Sequence, residues 1–321
     1  MSLFQEEEDV SLQDQADQYL YQIEKSLEYL LSNKVHIRRF HLDLFKSNGN
    51  HSSRFNNILY LANKNQVDQL LLHGLENCER PILPLSLFVS VNSFRVLELK
   101  NCVLNEEILK VDPVFPCLRQ MSLFHIKLPR RANHLIETLL RNCPVLEDLF
   151  VKECKLKRIH VGDHLNLRNV TILGVPVARI ESKSIEFLRF EYKGHEAFNL
   201  SLVSSKKLQR LVLSATFTAR EIRNIVATSP SLEILNLTPY VLLQNLKIKS
   251  PSLRELIICA TGHGVAAKKI NINAPKLVHY QYRVDEARTT GIPAFRNPDI
   301  PRFAVLDKHL ITDDHSKWFC A

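Results

Sequence analysis

The sequence predicts an α/β solenoid, a curved parallel sheet of stacked strand-turn units with helices or extended segments on its convex side. Three observations point there. A short apolar motif recurs along the chain, its copies keep a near-constant spacing, and segments of helical periodicity fall in the longer gaps.

The motif is a proline followed by apolar residues two, five and seven positions later. It occurs five times: Pro116-Leu118-Met121-Leu123, Pro144-Leu146-Leu149-Val151, Pro230-Leu232-Leu235-Leu237, Pro251-Leu253-Leu256-Ile258 and Pro275-Leu277-Tyr280-Tyr282. Further units keep L-x-x-L-x-L without the proline: Val67 to Leu72, Phe94 to Leu99, Leu156 to Val161, Leu167 to Ile172, Ile185 to Phe190, Leu208 to Leu213 and, more loosely, Ile37 to Leu42. Each ends in an apolar-polar-apolar alternation, which is what a short strand with one buried face requires.

Most steps between successive units are 23 to 30 residues, bracketing the leucine-rich-repeat period of about 20 to 29. The fold class is therefore a leucine-rich-repeat solenoid. Steps of 10 and 11 around Ile159, Val170, Leu246 and Leu256 are too short for a strand and a returning helix. Strands on both faces of a flattened coil are expected there.

Helices are expected at His134 to Cys143, with Leu135, Ile136, Leu139 and Leu140 at helical spacing before Pro144, and at Thr218 to Ser229. The second carries Thr218 and Glu221 as a capping box and stops before Pro230. A third, Gln15 to Leu31, aligns Leu20, Ile23, Leu27, Leu30 and Leu31, and should cover the open end of the stack. The expected organisation is an acidic extension with a capping helix at 1–33, repeats at 34–285 and a tail with partial order at most at 286–321, where prolines and polar residues replace the motif.

The chain's net charge of +8 conceals a split. Residues 1–31 hold eight acids and one lysine, net −7, leaving 41 basic against 26 acidic residues, or +15, for the rest. That body could attract a polyanion, although no run of five or more Lys/Arg occurs. The start Gln5-Glu-Glu-Glu-Asp9 is unlike a signal peptide, and no stretch reaches the roughly 18 apolar residues of a membrane span. No membrane contact and a cytoplasmic or nuclear location are expected.

The seven cysteines are an odd number and include no C-x-x-C pair, which fits packed thiols in a reduced compartment. With only 8 glycines, phosphate-binding loops are disfavoured, and H-E-x-x-H, G-x-S-x-G and G-x-x-x-x-G-K-[ST] do not occur. The chain is expected to be no enzyme and to need no cofactor. Pairs such as His263 with Cys259 or His315 with Cys320 lack the four converging ligands of structural zinc, so no metal site is expected.

The unit Cys143-Pro-Val-Leu146-Glu-Asp-Leu149-Phe-Val151-Lys-Glu-Cys154 resembles the cysteine-containing class of leucine-rich repeat. With Leu83-Pro-Leu-Ser-Leu-Phe88, Phe94 to Cys102 and Ile270-Asn-Ile-Asn-Ala-Pro-Lys-Leu277, the chain resembles plant F-box/leucine-rich-repeat proteins, including those with an FBD module, over roughly residues 20–283. The resemblance covers the repeat domain. Residues 1–33 do not resemble an F-box, the only tryptophan is Trp318, and little that resembles an FBD module follows the repeats. Docking to a cullin-ligase adaptor is accordingly not expected, whereas the repeats should bind protein as the substrate-recognition region of such a ligase subunit does.

The functional surface should be the non-core positions of the strands, which repetition lines up along one face. Glu98, Lys100, Phe124, Phe150, Lys152, Arg158, His160 and Arg189 are the candidate protein-binding residues. Phe124 and Phe150 occupy matching outward positions in neighbouring repeats, where they either anchor a partner or are covered by an adjacent loop. Beside Lys152, Arg158 and His160 they would suit an acidic or phosphorylated protein segment. A basic solenoid that binds nucleic acid is the alternative, and would show steeply salt-dependent affinity.

Overall fold

A strand whose alternate residues are leucine can bury only one face, so consecutive units must stack side by side to keep those leucines from water. The computed structural model shows this arrangement, and describes residues 3–44, 52–75, 80–89, 93–111, 114–129, 132–194, 199–203, 205–260, 267–284 and 294–296. It divides into two units at Ser182 and Lys183.

The first unit contains α1 (Leu3–Ser32), β1 (Arg39–Leu44), α2 (Ser52–Lys64), β2 (Gln69–Gly74), α3 (Ser86–Val89), β3 (Val96–Lys100), β4 (Gln120–Phe124), α4 (Ala132–Arg141), β5 (Asp148–Lys152), β6 (Arg158–Val161), β7 (Asn169–Leu173) and β8 (Val177–Ile180). Strands β1, β2, β3, β4, β5 and β7 pair in that order, all parallel. Their register superposes repeat positions: Leu42, Leu72, Leu99, Leu123, Val151 and Ile172 form one buried row, and Leu70, Leu97, Met121, Leu149 and Val170 form another. Buried side chains of α2 (Ile58, Leu59, Ala62) and α4 (Leu135, Ile136, Leu139, Leu140) complete the core.

The short steps in the sequence have the expected cause. Strands β6 and β8 pair with each other in a separate sheet, and β6 packs against α4. Helix α4 falls on the periodicity at 134–143. Helix α2 was not among the predicted helices, although Phe55, Ile58, Leu59 and Ala62 carry a helical stripe. Helix α1 packs along α2, burying Leu20 and Leu27, and Glu24 accepts hydrogen bonds from Asn57 and, at 2.8 Å, from Arg54.

Two repeated devices turn the chain at the strand ends. At the start, one carbonyl accepts two N–H groups of the next repeat: Asp68 from Arg95 and Val96, Arg95 from Arg119 and Gln120, Arg119 from Glu147 and Asp148, Glu147 from Arg168 and Asn169. At the exit, Asn101, His125, Glu153 and Gly174 adopt left-handed φ of 53°, 52°, 52° and 83°. The first three each donate a backbone N–H to the last carbonyl of the following strand. Gly74 ends β2 so close to this corner that a Cβ would stand 2.3 Å from the Asn101 carbonyl oxygen. Only glycine fits there.

Cys102 and Cys154 follow two of these corners with no exposed surface, their thiols donating to the Lys100 and Lys152 carbonyls at 3.0 and 3.4 Å. Burial pushes the thiols of Cys102 and Cys143 up to about 12 and that of Cys154 to about 11 from an ordinary 9.0. They pack as small apolar groups.

The second unit contains β9 (Phe187–Glu191), β10 (Asn199–Leu202), β11 (Arg210–Ala215), α5 (Ala219–Thr228), β12 (Ile234–Pro239), β13 (Leu246–Lys249), β14 (Glu255–Ala260), β15 (Lys269–Asn273), β16 (His279–Val284) and β17 (Ala294–Arg296). Strands β9, β11, β12, β14 and β16 form a parallel sheet, while β13, β15 and β17 form another. Strand β17 falls within the segment read as a tail, most of which lies outside the described residues. Helix α5 begins as predicted: the Glu221 N–H donates to Thr218 Oγ1 at 3.2 Å, and the Thr218 N–H donates to Glu221 Oε2 at 2.6 Å. No described helix is long and apolar enough to cross a membrane.

Thr218→Ala removes the side-chain half of this box and should cost about 1 kcal/mol, read as a lower urea midpoint with an unchanged slope. The raised thiols make a second prediction. The unfolded chain loses these protons near 9.0 while the folded chain holds them to about 11 or 12, so stability should be constant below that window and fall as pH rises through it. Iodoacetamide should label exposed Cys117 in the native protein and Cys102, Cys143 and Cys154 only after denaturation, as mass spectrometry of the digest would show.

Candidate functional site

The strand positions that alternate with the leucine rows form the outward face of the first unit's sheet, and parallel pairing arranges them in rows about 4.8 Å apart per strand. One row runs His41, Leu71, Glu98, Ser122, Phe150, Thr171. The next runs Asp43, His73, Lys100, Phe124, Lys152, Leu173.

Phe124 and Phe150 therefore sit diagonally on β4 and β5, with ring centroids 4.7 Å apart and planes inclined by 32°. Both are half-buried. In register, Lys100 and Lys152 flank Phe124 on either side, two strand spacings or roughly 10 Å apart. Ser122 and Thr171, which flank Phe150, are 3% and 8% exposed. These short side chains lie beside the larger ring in the same row.

Towards β1 the face turns polar. His73 Nε2 lies 2.8 Å from Glu98 Oε1, His73 Nδ1 lies 3.0 Å from His41 Nε2, and Asp43 Oδ1 lies 3.4 Å from that same His41 nitrogen. The hydrogen bond from His73 holds the Glu98 carboxyl below the usual carboxylate range, against its partial burial. Each of these residues is a visible outward position in the sequence. Their convergence is not, because it joins three strands separated by 25 and 32 residues.

Three of the eight candidates stand elsewhere. Arg158 and His160 lie on β6, in the separate sheet, so they do not extend the cluster at Phe124, Phe150 and Lys152. His160 instead borders a groove of about 360 Å³ with Glu137, Arg141, Asp163 and His164, and its Nε2 lies 3.4 Å from Glu181, which Arg179 also approaches at 2.6 Å. Lys247 likewise lies outside the main sheets, on β13, which pairs with β15. Arg189 is on the outward face of the second unit, where Glu191 lies 3.5 Å from it and 3.2 Å from Lys193. The register thus brings together Glu98, Lys100, Phe124, Phe150 and Lys152.

The family model described as "FBD-associated F-box protein At5g56370, LRR repeats" matches residues 55–218, just over half of the 321. Among curated relatives from Arabidopsis thaliana, the probable FBD-associated F-box protein At1g32375 is 42% identical over 73 residues, covering 23% of this chain and 16% of that protein. The putative FBD-associated F-box proteins At5g50270 and At5g56390 are each 36% identical, over 101 and 108 residues, covering 32% and 33% of this chain and 21% and 22% of theirs. The matches thus span no more than about a quarter of these relatives' lengths. No solved structure matches the chain significantly. Leucine-rich repeats of F-box-associated proteins point to a protein-interaction role. The matched span, the L-x-x-L-x-L units and the parallel sheet they build agree, and the chain belongs to the plant leucine-rich-repeat family of FBD-associated F-box proteins.

Proposed function

We propose that the chain is a recognition scaffold which binds a protein segment on the outward face of β3, β4 and β5, as the substrate-recognition part of an F-box/leucine-rich-repeat ubiquitin-ligase subunit. The observation that carries this reading is the stacked Phe124–Phe150 pair, half-buried and flanked in register by Lys100 and Lys152. Rigid aromatic surface desolvates readily against a partner, and aromatic residues are enriched where interfaces concentrate their energy. Two ammonium groups beside the rings suit a segment that carries acidic or phosphorylated side chains around an apolar anchor. In this reading the repeats at 34–285 carry recognition, while the extension at 1–33 and the tail at 286–321 flank it. Recruitment of a cullin-ligase adaptor is a separate property, which the F-box named in the relatives raises for this chain.

Binding of nucleic acid through the basic body is the weaker reading. Several of the described cations face acids along the repeat edges and faces: Arg95 with Asp68, Arg119 with Glu147, Arg179 with Glu181, Arg254 with Glu233. A phosphate-tracking surface instead needs a stripe of cations free to replace counterions.

The test compares affinity capture from plant extract, quantified by mass spectrometry, for the wild-type chain, Phe124→Ala/Phe150→Ala and Lys152→Glu. Lys152→Glu should unfold within about 1 kcal/mol of wild type, while the double alanine variant removes two half-buried stacked rings and should lose roughly 1 to 3 kcal/mol, with retained folding checked by circular dichroism. A specific set of proteins held by wild type should fall by about thirtyfold with the double alanine variant, the loss expected of a 2 kcal/mol hot spot, and should fall again with Lys152→Glu. Recovery of the adaptor within that set would support the ligase role. A partner set unchanged in both variants, or one lost on nuclease treatment, would overturn the reading.

A further inference from the structure

We propose that His41, His73 and Asp43 form a binding site for a divalent transition-metal ion of the zinc class, with Glu98 as the residue that positions His73. Among the described residues these three side chains are the group of potential ligands whose donor atoms all lie within 4.8 Å of one another. The site is independent of the protein-binding reading above.

The geometry comes from the register. Strands β1 and β2 pair with Asp43 opposite His73 and His41 opposite Leu71, so three donors reach the same point of the outward face from two adjacent strands. In tetrahedral zinc sites the metal lies about 2.0–2.2 Å from nitrogen and oxygen ligands, which puts neighbouring donor atoms roughly 3.3 to 3.5 Å apart. Here His41 Nε2 is 3.0 Å from His73 Nδ1 and 3.4 Å from Asp43 Oδ1. The Asp43 and His73 donors are farther apart, within 4.8 Å, so the Asp43 carboxylate has to swing inward by up to about an ångström, which a half-exposed side chain permits.

The tautomer of His73 suits the ion. A carboxylate can only accept, so the 2.8 Å contact from His73 Nε2 to Glu98 Oε1 places the His73 proton on Nε2. The lone pair of His73 Nδ1 then points at His41. Carboxylate–histidine pairs of this kind orient and strengthen metal-ligating imidazoles. Without an ion, His41 Nε2 is the donor to that lone pair at 3.0 Å, so ion binding replaces this proton and leaves the His41 proton on Nδ1, freeing a second lone pair at Nε2. Two imidazoles and one carboxylate favour zinc, cobalt, nickel or copper over magnesium or calcium, which prefer all-oxygen sites. Three protein ligands leave a fourth position for water on a side where His41 and Asp43 are 43% and 52% exposed. The expectation of no metal weighed different pairs, and His263, His315 and Cys320 lie outside the described residues.

The test is calorimetric titration of the full-length chain with Zn²⁺ at neutral pH under reducing conditions, with excess Mg²⁺ present, alongside His41→Ala, His73→Ala and Glu98→Gln variants. One equivalent should bind. His41→Ala or His73→Ala should weaken it at least a hundredfold, and Glu98→Gln should weaken it roughly tenfold to a hundredfold. Co²⁺ should give the intense visible bands of tetrahedral coordination in wild type and lose them in both histidine variants. The histidines are outward-facing, so circular dichroism should confirm retained folding. Absence of Zn²⁺ binding, or binding of unchanged affinity in both histidine variants, would overturn the proposal, the latter by placing the ion on thiols or other surface groups.

Discussion

Parallel pairing without a register shift is the constraint on which the rest of the structure depends. Within each unit's main sheet, neighbouring strands match the same repeat position, so Leu42 finds Leu72, Leu99 finds Leu123, and Leu213 finds Leu237. A slip of one residue would turn a whole leucine row to water, because side chains alternate across a strand. The doubled hydrogen bonds at Asp68, Arg95, Arg119 and Glu147 hold each start in place, and the left-handed residues Asn101, His125, Glu153 and Gly174 turn each exit through a matching corner. The same register that aligns the leucines also aligns what lies between them. That is how Phe124 comes to rest beside Phe150, and His41 beside His73.

Much of this was legible in the residues. The prolines and leucines of the repeats mark β4, β5, β12, β14 and β16, and the Thr218–Glu221 pair marks the first turn of α5. What escaped the pattern has a physical reason. Leu156 to Val161 carries the same L-x-x-L-x-L spacing as the main strands, yet it forms β6 in a second sheet against α4. The spacing reports that a strand has one buried face and is silent on which layer buries it. Arg158 and His160, expected beside Lys152, therefore lie in the second sheet, whereas Glu98, Lys100, Phe124, Phe150 and Lys152 share the main one. The histidine cluster is a diagonal relation between repeats, and single-repeat reading cannot see a diagonal.

Charge follows the same geometry. A net +15 over residues 32–321 would imply a strong field if the cations were gathered on one surface. Instead, Asp68, Arg95, Arg119 and Glu147 occupy equivalent positions at the starts of successive repeats, where Arg95 lies 3.6 Å from Asp68 and Arg119 lies 2.8 Å from Glu147. Such exposed pairs contribute little to stability; they interleave acids with bases along the repeat starts and leave the net excess unchanged. Lys100 and Lys152 stand out because they border aromatic surface.

The doubled acceptor at each repeat start bears on how such a chain reaches its native state. Every bond of this kind joins a residue to one a single repeat away, so ordering one repeat supplies the template for the next with only a short loop to close. Growth of this sort needs no distant segment to arrive first and can begin wherever two neighbouring units meet. A growing polypeptide could therefore add finished rungs as they emerge, each new strand finding a waiting carbonyl that accepts both of its first N–H groups.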